Sequence, residues 1–527
     1  MFISENKNGP LILVSKDIEF TFPFAFAYLA GYLLKEGMQT KIVYYPDNPL
    51  KYEKFINEII DYKPVAIGFG SLYPDLYVVK DLKRILDSKN VKIPTIIGGQ
   101  MVTPTPEFAL EITNADIAVI GEGEIILYEL IKALKGSASL ENVSGIVFKD
   151  NNEYIFTGPG NFIQNLSDLP KVPFDQLPEE KWLNIGRYYT GLGQAHWRYN
   201  DRVVYIHGGR GCPFNCNFCY HHSKTRYRKI DEMIVEAIEL TEKYKANMVY
   251  FGDDLVLCSP QRIRKFVDTI KEAGASFEYS VSCRFDILDK IDDETLQALK
   301  DTGCRIMGLG VESGSQRILD IMNKKITVEQ IKKGLERLKD VSILPTVSIM
   351  VGQHTETPED VQKSIELMLE TVRYNKNIQY AFTITTPFPG TQLYQLALDQ
   401  GLLKDHKDFF YKFNPQKQMC DLTVNLSDMT DEEVIMFRNK IQDLYEKEKR
   451  KLIGKKAYIT ETIRKYLFKV HKGFNYKLLK KLPKNPLTDL IIRIDNNLHD
   501  FCQVRLDSLR LKFLGINPNY AQIKDQE

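Results

Sequence analysis

The chain has no cysteine before Cys212 and only eight among its 527 residues. A secreted, disulfide-stapled protein would spread its cysteines more evenly, so a reducing cytoplasm is the expected compartment. No apolar run is long enough to cross a membrane. The opening MFISENKNGPLILV has neither a basic start nor a small-residue cleavage site, so no signal peptide is expected. Net charge is nearly absent: 70 Lys and Arg against 69 Asp and Glu leave +1. The whole chain therefore has no general pull toward nucleic acid or acidic surfaces. What is present, 43% hydrophobic and 26% charged residues, is a globular composition, and the length implies two or three domains.

The scarce cysteines are clustered. GRGCPFNCNFCYHH, residues 209–222, holds Cys212, Cys216 and Cys219. Three ordinary loop thiols are the plain alternative. A disulfide would use two and strand the third. A structural zinc site needs a fourth ligand, which His221 or His222 offers, but no second C-x-x-C exists in the chain. Thiolates favour soft metals, and iron–sulfur clusters are normally held by four of them. Three on a four-iron cluster leave one iron open to a substrate or cofactor. The spacing C-x3-C-x2-C, with Phe218 directly before the last cysteine, resembles the signature of the radical S-adenosylmethionine (radical SAM) superfamily. That resemblance implies a 4Fe–4S cluster whose open iron chelates the amino and carboxylate groups of S-adenosylmethionine (SAM).

From Val203 onward, short apolar runs alternate with amphipathic segments. VVYIH, NMVYFGDD, FEYSVSCRFD, RIMGLGVESGS, ILPTVSIMVG and IQYAFTITTPFPGT read as strands. Between them lie helical stretches, such as DEMIVEAIELTEKY with apolar Met233, Ile234, Ala237 and Ile238. Six strand–helix repeats imply a parallel sheet with functional groups at the carboxyl ends of its strands. The radical SAM resemblance implies a (βα)6 partial TIM barrel here. It also assigns cofactor contacts to those ends. Gly252, Asp253 and Asp254 stand where the family has a Gly-Gly-Glu-like segment for the SAM amino group. Arg284 is placed to pair with the SAM carboxylate, since guanidinium binds carboxylate bidentately. Glu312 and Ser313 are placed for the ribose hydroxyls. The plain alternatives are a surface pair of Arg284 with Asp286 and a helix-capping Glu312. Gly352, Glu356 and Thr357 match a further family segment, while Gln353, His354 and Thr355 depart from it. That leaves His354 as the catalytic candidate. Pro387, Pro389 and Gly390 resemble the family's Pro-x-Pro-Gly-Thr turn beside the site.

Residues 1–150 also alternate strand and helix: PLILVS, QTKIVYY, PVAIGFGSL, IPTIIGGQ and ADIAVIGEGE are strand candidates, with a helix ended by Gly37. This is a doubly wound, Rossmann-like architecture with a crevice at the strand ends. No G-x-G-x-x-G follows the first strand, which argues against a dinucleotide. The segment resembles the cobalamin-binding domain fused ahead of many radical SAM enzymes. The resemblance rests on the PFAFAYLA opening, the Ser71–Leu72 turn, the Gly98–Gly99 pair and Gly-Glu-Gly-Glu at 121–124, including Glu122. It departs at YPDNPLKY, where Asp47 has no partnering His, so cobalt is expected to lack a His ligand. A scaffold that has lost cobalamin is the alternative.

Residues 151–202, rich in Pro, Asn and Asp, read as a connector, residues 203–400 as the barrel, and residues 401–527 as mostly helical. MTDEEVIMFRNKIQDLYEKEKRKL opens with a cap and an acidic first turn. Beyond it, between Lys447 and Lys484, basic residues far outnumber Glu448 and Glu461, with Tyr458, Ile459, Tyr466, Leu467 and Phe474 interleaved. A solvated basic face is one reading, and contact with an anionic membrane surface, an amphiphilic substrate or an acidic partner is the other. No nucleic-acid partner is expected. Taken as a whole, the resemblance implies a cobalamin-dependent radical SAM methyltransferase. Its substrate is expected to be a small or amphiphilic metabolite methylated at an unactivated carbon, and its electron donor a flavodoxin or ferredoxin. The runner-up is a cobalamin-dependent cyclase or ring-rearranging enzyme. A methylthiotransferase is set aside because its extra N-terminal cysteines are missing.

Overall fold

A computed structural model describes residues 4–16, 22–70, 72–100, 102–183, 196–198, 201–221 and 223–454. Ser71, His222 and the basic tail beyond residue 454 lie outside the described residues. Five strands, β1 (Leu11–Ser15), β2 (Thr40–Tyr44), β3 (Ala66–Gly70), β4 (Thr95–Gly98) and β5 (Ile117–Val119), pair in parallel in the order β2-β1-β3-β4-β5. β1 is buried along its whole length, which is why LILVS reads as a continuous apolar run rather than an alternating one. The winding direction reverses at β1, and a crevice opens there between the carboxyl ends of β1 and β3.

The sheet does not stop where a connector was expected. β6 (Ile146–Asp150) adds antiparallel to β5, and β7 (Glu153–Phe156) adds antiparallel to β6. Asn151 and Asn152 make the turn, both with positive φ (45° and 71°). Two consecutive left-handed residues match the right-handed twist of a hairpin, and Asn tolerates that conformation better than most residues. The connector expected from residue 151 therefore begins with the last strand of the first sheet.

The second sheet is parallel throughout, and its strands lie side by side in chain order. β8 (Val203–Ile206) is one edge. A two-stranded ribbon follows, β9 (Gly209–Arg210) with β10 (Arg226–Tyr227). Then come β11 (Met248–Phe251), β12 (Glu278–Cys283), β13 (Cys304–Glu312), β14 (Leu344–Val351) and β15 (Gln379–Ile384) at the other edge. This is the open six-stranded α/β barrel expected from the repeats.

Two apolar cores lock the halves together. One joins the helix Phe24–Lys35 to β8 and β11, with Phe22 stacked on Tyr205 at 4.4 Å and Phe174 and Trp182 filling the seam. The other lies on the opposite face of the first sheet and is closed by the helix His406–Lys412, from beyond the barrel. Phe410 stacks on Tyr77 at 4.1 Å, and the Tyr77 hydroxyl donates to the Phe413 carbonyl at 2.9 Å. Each buried aromatic removes a large apolar area from water, worth about 1.5–3 kcal/mol. The final described helix, Asp431–Ile453, starts with a Thr430–Glu433 capping box and packs against β15 and the helix Pro358–Tyr374. No helix among the described residues is long and apolar enough to cross a membrane.

Candidate functional site

The three cysteines sit on the loop between β9 and β10. Gly211 opens that loop at φ +75°, and a Cβ there would stand 2.6 Å from the Ser223 carbonyl oxygen, so the neck accepts only glycine. The residues between the cysteines tie the loop to the barrel. Asn217 donates through its side chain to the Ile321 carbonyl at 2.9 Å and through its backbone to Met322 at 3.1 Å. Asn323 returns the contact by donating to the Asn215 carbonyl at 2.7 Å.

Cys212, Cys216 and Cys219 all open onto one cavity of about 590 Å³. Arg284, Glu312, Lys324, Ser348 and Asp254 line it from the strand ends of the barrel. Leu72, Tyr73, Pro74 and Gln100 line it from the first domain. Phe388, Pro389 and Thr391 of the Pro-x-Pro-Gly-Thr turn complete the wall.

The electrostatics favour an electron-rich ligand near the thiols. Arg284 lies over the Phe214 ring, its guanidinium carbon 3.6 Å from the ring centroid, and its Nη1 points at Cys216 Sγ from 3.9 Å. The Cys219 thiol, donating to Cys216, holds the Cys216 thiol below the usual range, and Lys324 and Arg284 add to this against the effect of burial. Burial lifts Cys212. Lys324 Nζ donates to Glu312 Oε1 at 2.9 Å, while Ser348 Oγ donates to Glu312 Oε2 at 2.7 Å.

The expected site residues divide. Asp254, Arg284, Glu312, Leu72 and the three cysteines reach the cavity. Gly98 ends β4, and Gly99, at φ +87°, turns the chain so that Gln100 reaches it. Arg284 does pair with Asp286, at 2.8 Å, but both are buried rather than on the surface, and another of its nitrogens is taken by the Lys324 carbonyl. Other expected contacts are placed elsewhere. Ser313 is fully buried against Ser364. Asp253 Oδ1 accepts from the Gly208 and Gly209 amides at 2.7 Å, fixing the entry to the cysteine loop. Gly252 faces Phe24 of the first domain, where a Cβ would come within 2.6 Å of the ring. Glu122 is bound by Arg210 and Arg226. His354 lies beside the Leu426 carbonyl, 3.4 Å away, outside the cavity lining. Sequence reasoning missed Lys324, Ser348, Tyr73 and Gln100, none of which lies in a motif.

The donor set fits the implied groups. Three thiols sharing one cavity wall with two cations suit a cluster, which keeps its thiolates apart and carries negative charge. Tyr73 also lines the cavity, with its ring packed among Phe388, Phe409 and Phe413. With Leu72, Pro74 and Gln100 it makes a largely apolar lining with one side-chain amide, suited to a large ring that carries amides.

Comparison with known proteins agrees with this geometry. The family profile described as the radical SAM superfamily matches residues 206–368, and that of the B12 binding domain matches residues 11–131. An uncharacterized methyltransferase of Pyrococcus horikoshii is 28% identical over 387 residues, 72% of this chain and 79% of its own length. An anaerobic magnesium-protoporphyrin IX monomethyl ester cyclase of Rubrivivax gelatinosus is 27% identical over 400 residues, 74% of this chain and 68% of its own. Among solved structures, the cobalamin-dependent SAM radical enzyme OxsB with aqua-cobalamin bound shares the fold, with a TM-score of 0.65 over 97% of this chain and 80% of its own at 15% identity. Thiol triad, shared cavity and both family matches converge: the chain joins a B12-binding domain to a radical SAM domain, and its cofactors are a 4Fe–4S cluster, SAM and cobalamin.

Proposed function

We propose that this protein is a radical SAM methyltransferase that places a methyl group on an unactivated carbon of a small or amphiphilic molecule. One observation carries the reading: a single cavity is lined both by the cysteine loop and by the strand ends of the B12-binding domain. When bound, the cluster and SAM supply a radical able to remove hydrogen from such a carbon, and cobalamin supplies the methyl group. Cys212, Cys216 and Cys219 hold the cluster. Lys324, Glu312, Ser348 and Arg284 orient the charged and hydroxyl groups of SAM. Leu72, Tyr73 and Gln100 face cobalamin, with the Gly98–Gly99 turn shaping that wall. The protein's contribution is orientation and the exclusion of water and competing quenchers. A small-molecule substrate and a one-electron reductant, a flavodoxin or ferredoxin, are the partners this chemistry requires. The basic composition past residue 454 supports a peripheral contact with an anionic surface.

The similarity to the Rubrivivax cyclase favours a second reading, cyclisation without methyl transfer. Turnover under anaerobic conditions with SAM labelled at its methyl group separates the two. Label in both cobalamin and product, with S-adenosylhomocysteine released beside 5′-deoxyadenosine, is the expected result. Unlabelled product with 5′-deoxyadenosine alone supports the cyclase reading.

A further inference from the structure

The two domains meet at a buried cluster of four charges. Arg210 closes β9 and Arg226 opens β10, as cross-strand neighbours. The entire cysteine loop hangs from this ribbon. Facing them are Glu122 and Glu124, which begin the helix Gly123–Leu134 directly after β5. Arg210 Nη1 donates to Glu122 Oε2 at 2.5 Å and to Glu124 Oε2 at 3.3 Å, and its Nη2 donates to Glu124 Oε1. Arg226 donates to the other oxygen of Glu122 and to the Ile163 carbonyl. Phe162 lies against Arg226, 4.7 Å from its guanidinium, and Tyr28 against Arg210 at 5.8 Å. No side chain of the four is more than 12% exposed.

A buried ion-pair cluster adds little net stability over apolar residues of the same volume, but its forked geometry fixes orientation closely. Here the fork joins the base of the cysteine loop to the strand-end loop of the B12-binding domain, and not two parts of one core. We propose that Arg210, Arg226, Glu122 and Glu124 form a positioning clamp that sets the separation and orientation of the cluster relative to cobalamin. The inference rests on both cofactors being bound, as read above. The four residues act through the loops they hold.

The test uses the full chain reconstituted anaerobically with iron, sulfide and hydroxocobalamin, and it needs no substrate. Iron and cobalamin contents are measured first. Electron paramagnetic resonance of the cob(II)alamin form is then recorded with the cluster oxidised and reduced. The added broadening on reduction reports the spin–spin distance. Arg226→Gln with Glu124→Gln is expected to keep wild-type contents of both cofactors while the broadening is lost or spread over a range of values. Arg226→Lys, which keeps the charge, is expected to return it toward wild type. Full contents with wild-type broadening in the double variant overturn the clamp. So does loss of either cofactor at an unchanged melting temperature, because a positioning device leaves each site intact. Each single variant serves if the double variant does not fold. A wild-type chain that retains only one cofactor overturns the two-cofactor reading itself.

Discussion

Replacing Lys324 with methionine keeps most of the apolar stem and removes the charge. Glu312 then loses a 2.9 Å partner at a site where both side chains are 9% exposed. Ser348 still donates to the other oxygen at 2.7 Å, so one oxygen is left bare. Breaking a buried pair from one side costs about 3–5 kcal/mol, because the surviving charge stays desolvated. Glu312 also sits at φ +62°. A left-handed conformation costs such a residue about 1–3 kcal/mol and persists only while its surroundings hold it. At roughly 2–4 °C per kcal/mol for a domain of barrel size, the barrel's thermal transition falls by on the order of 10 °C. The double variant Lys324→Met with Glu312→Gln removes both charges and is expected to regain most of that loss, since no bare charge remains. Anaerobic calorimetry of the four proteins measures the cycle. SAM binding weakens in both variants that lack Lys324. A shift of about a degree or less for Lys324→Met, as for an exposed pair, would refute the reasoning. So would a double variant whose loss equals the sum of the two singles.

Three further outcomes are expected. Cys216→Ala loses the cluster, seen as loss of iron and of the visible absorption band after reconstitution; tightly bound zinc in the wild-type chain would count against the assignment. Burial raises Asp253 to about 7 against the amides of Gly208 and Gly209. The folded chain therefore holds an extra proton between about pH 4 and pH 7, so stability falls across that window at roughly 1.4 kcal/mol per unit and levels off once pH has risen through about 7. Asp253→Asn keeps the acceptor and flattens that dependence, so parallel melting curves against pH for the two proteins would contradict it. Charge reversal at Lys477, Lys480 and Lys481, outside the described residues, is expected to weaken binding to anionic liposomes at low salt while uncoupled SAM cleavage persists; unchanged binding favours a merely solvated basic face.

Much of the fold is written locally. β1, β3 and β8 are short apolar runs, and burial on both faces of a parallel sheet demands such runs. The capping boxes at Thr357 and Thr430 are contained within four residues each. The cysteine triad spans eight residues, so its chemistry was legible without any long-range contact. The β6–β7 hairpin was legible too, in Asn151–Asn152 before EYIF, but a Pro- and Asn-rich stretch beyond it outweighed that signal.

What faces the cavity was decided by tertiary structure. The register of β13 against β14 shifts between Gly310 and Glu312. That irregularity turns Glu312 toward Lys324 and the thiols and leaves its neighbour Ser313 buried against Ser364. Lys324 belongs to no motif and joins the site only because Asn215 and Asn217 bind the loop that carries it. His354 stands at a strand end like the others, yet the segment around Leu426 draws it aside. Glu122 looked like a cofactor contact because its motif was seen without the arginines that occupy it. Periodicity and caps depend on neighbours within a few residues, so a sequence shows them directly. Which polar group at a strand end meets a ligand depends on register and on partners from distant segments, and only the packed chain brings those together.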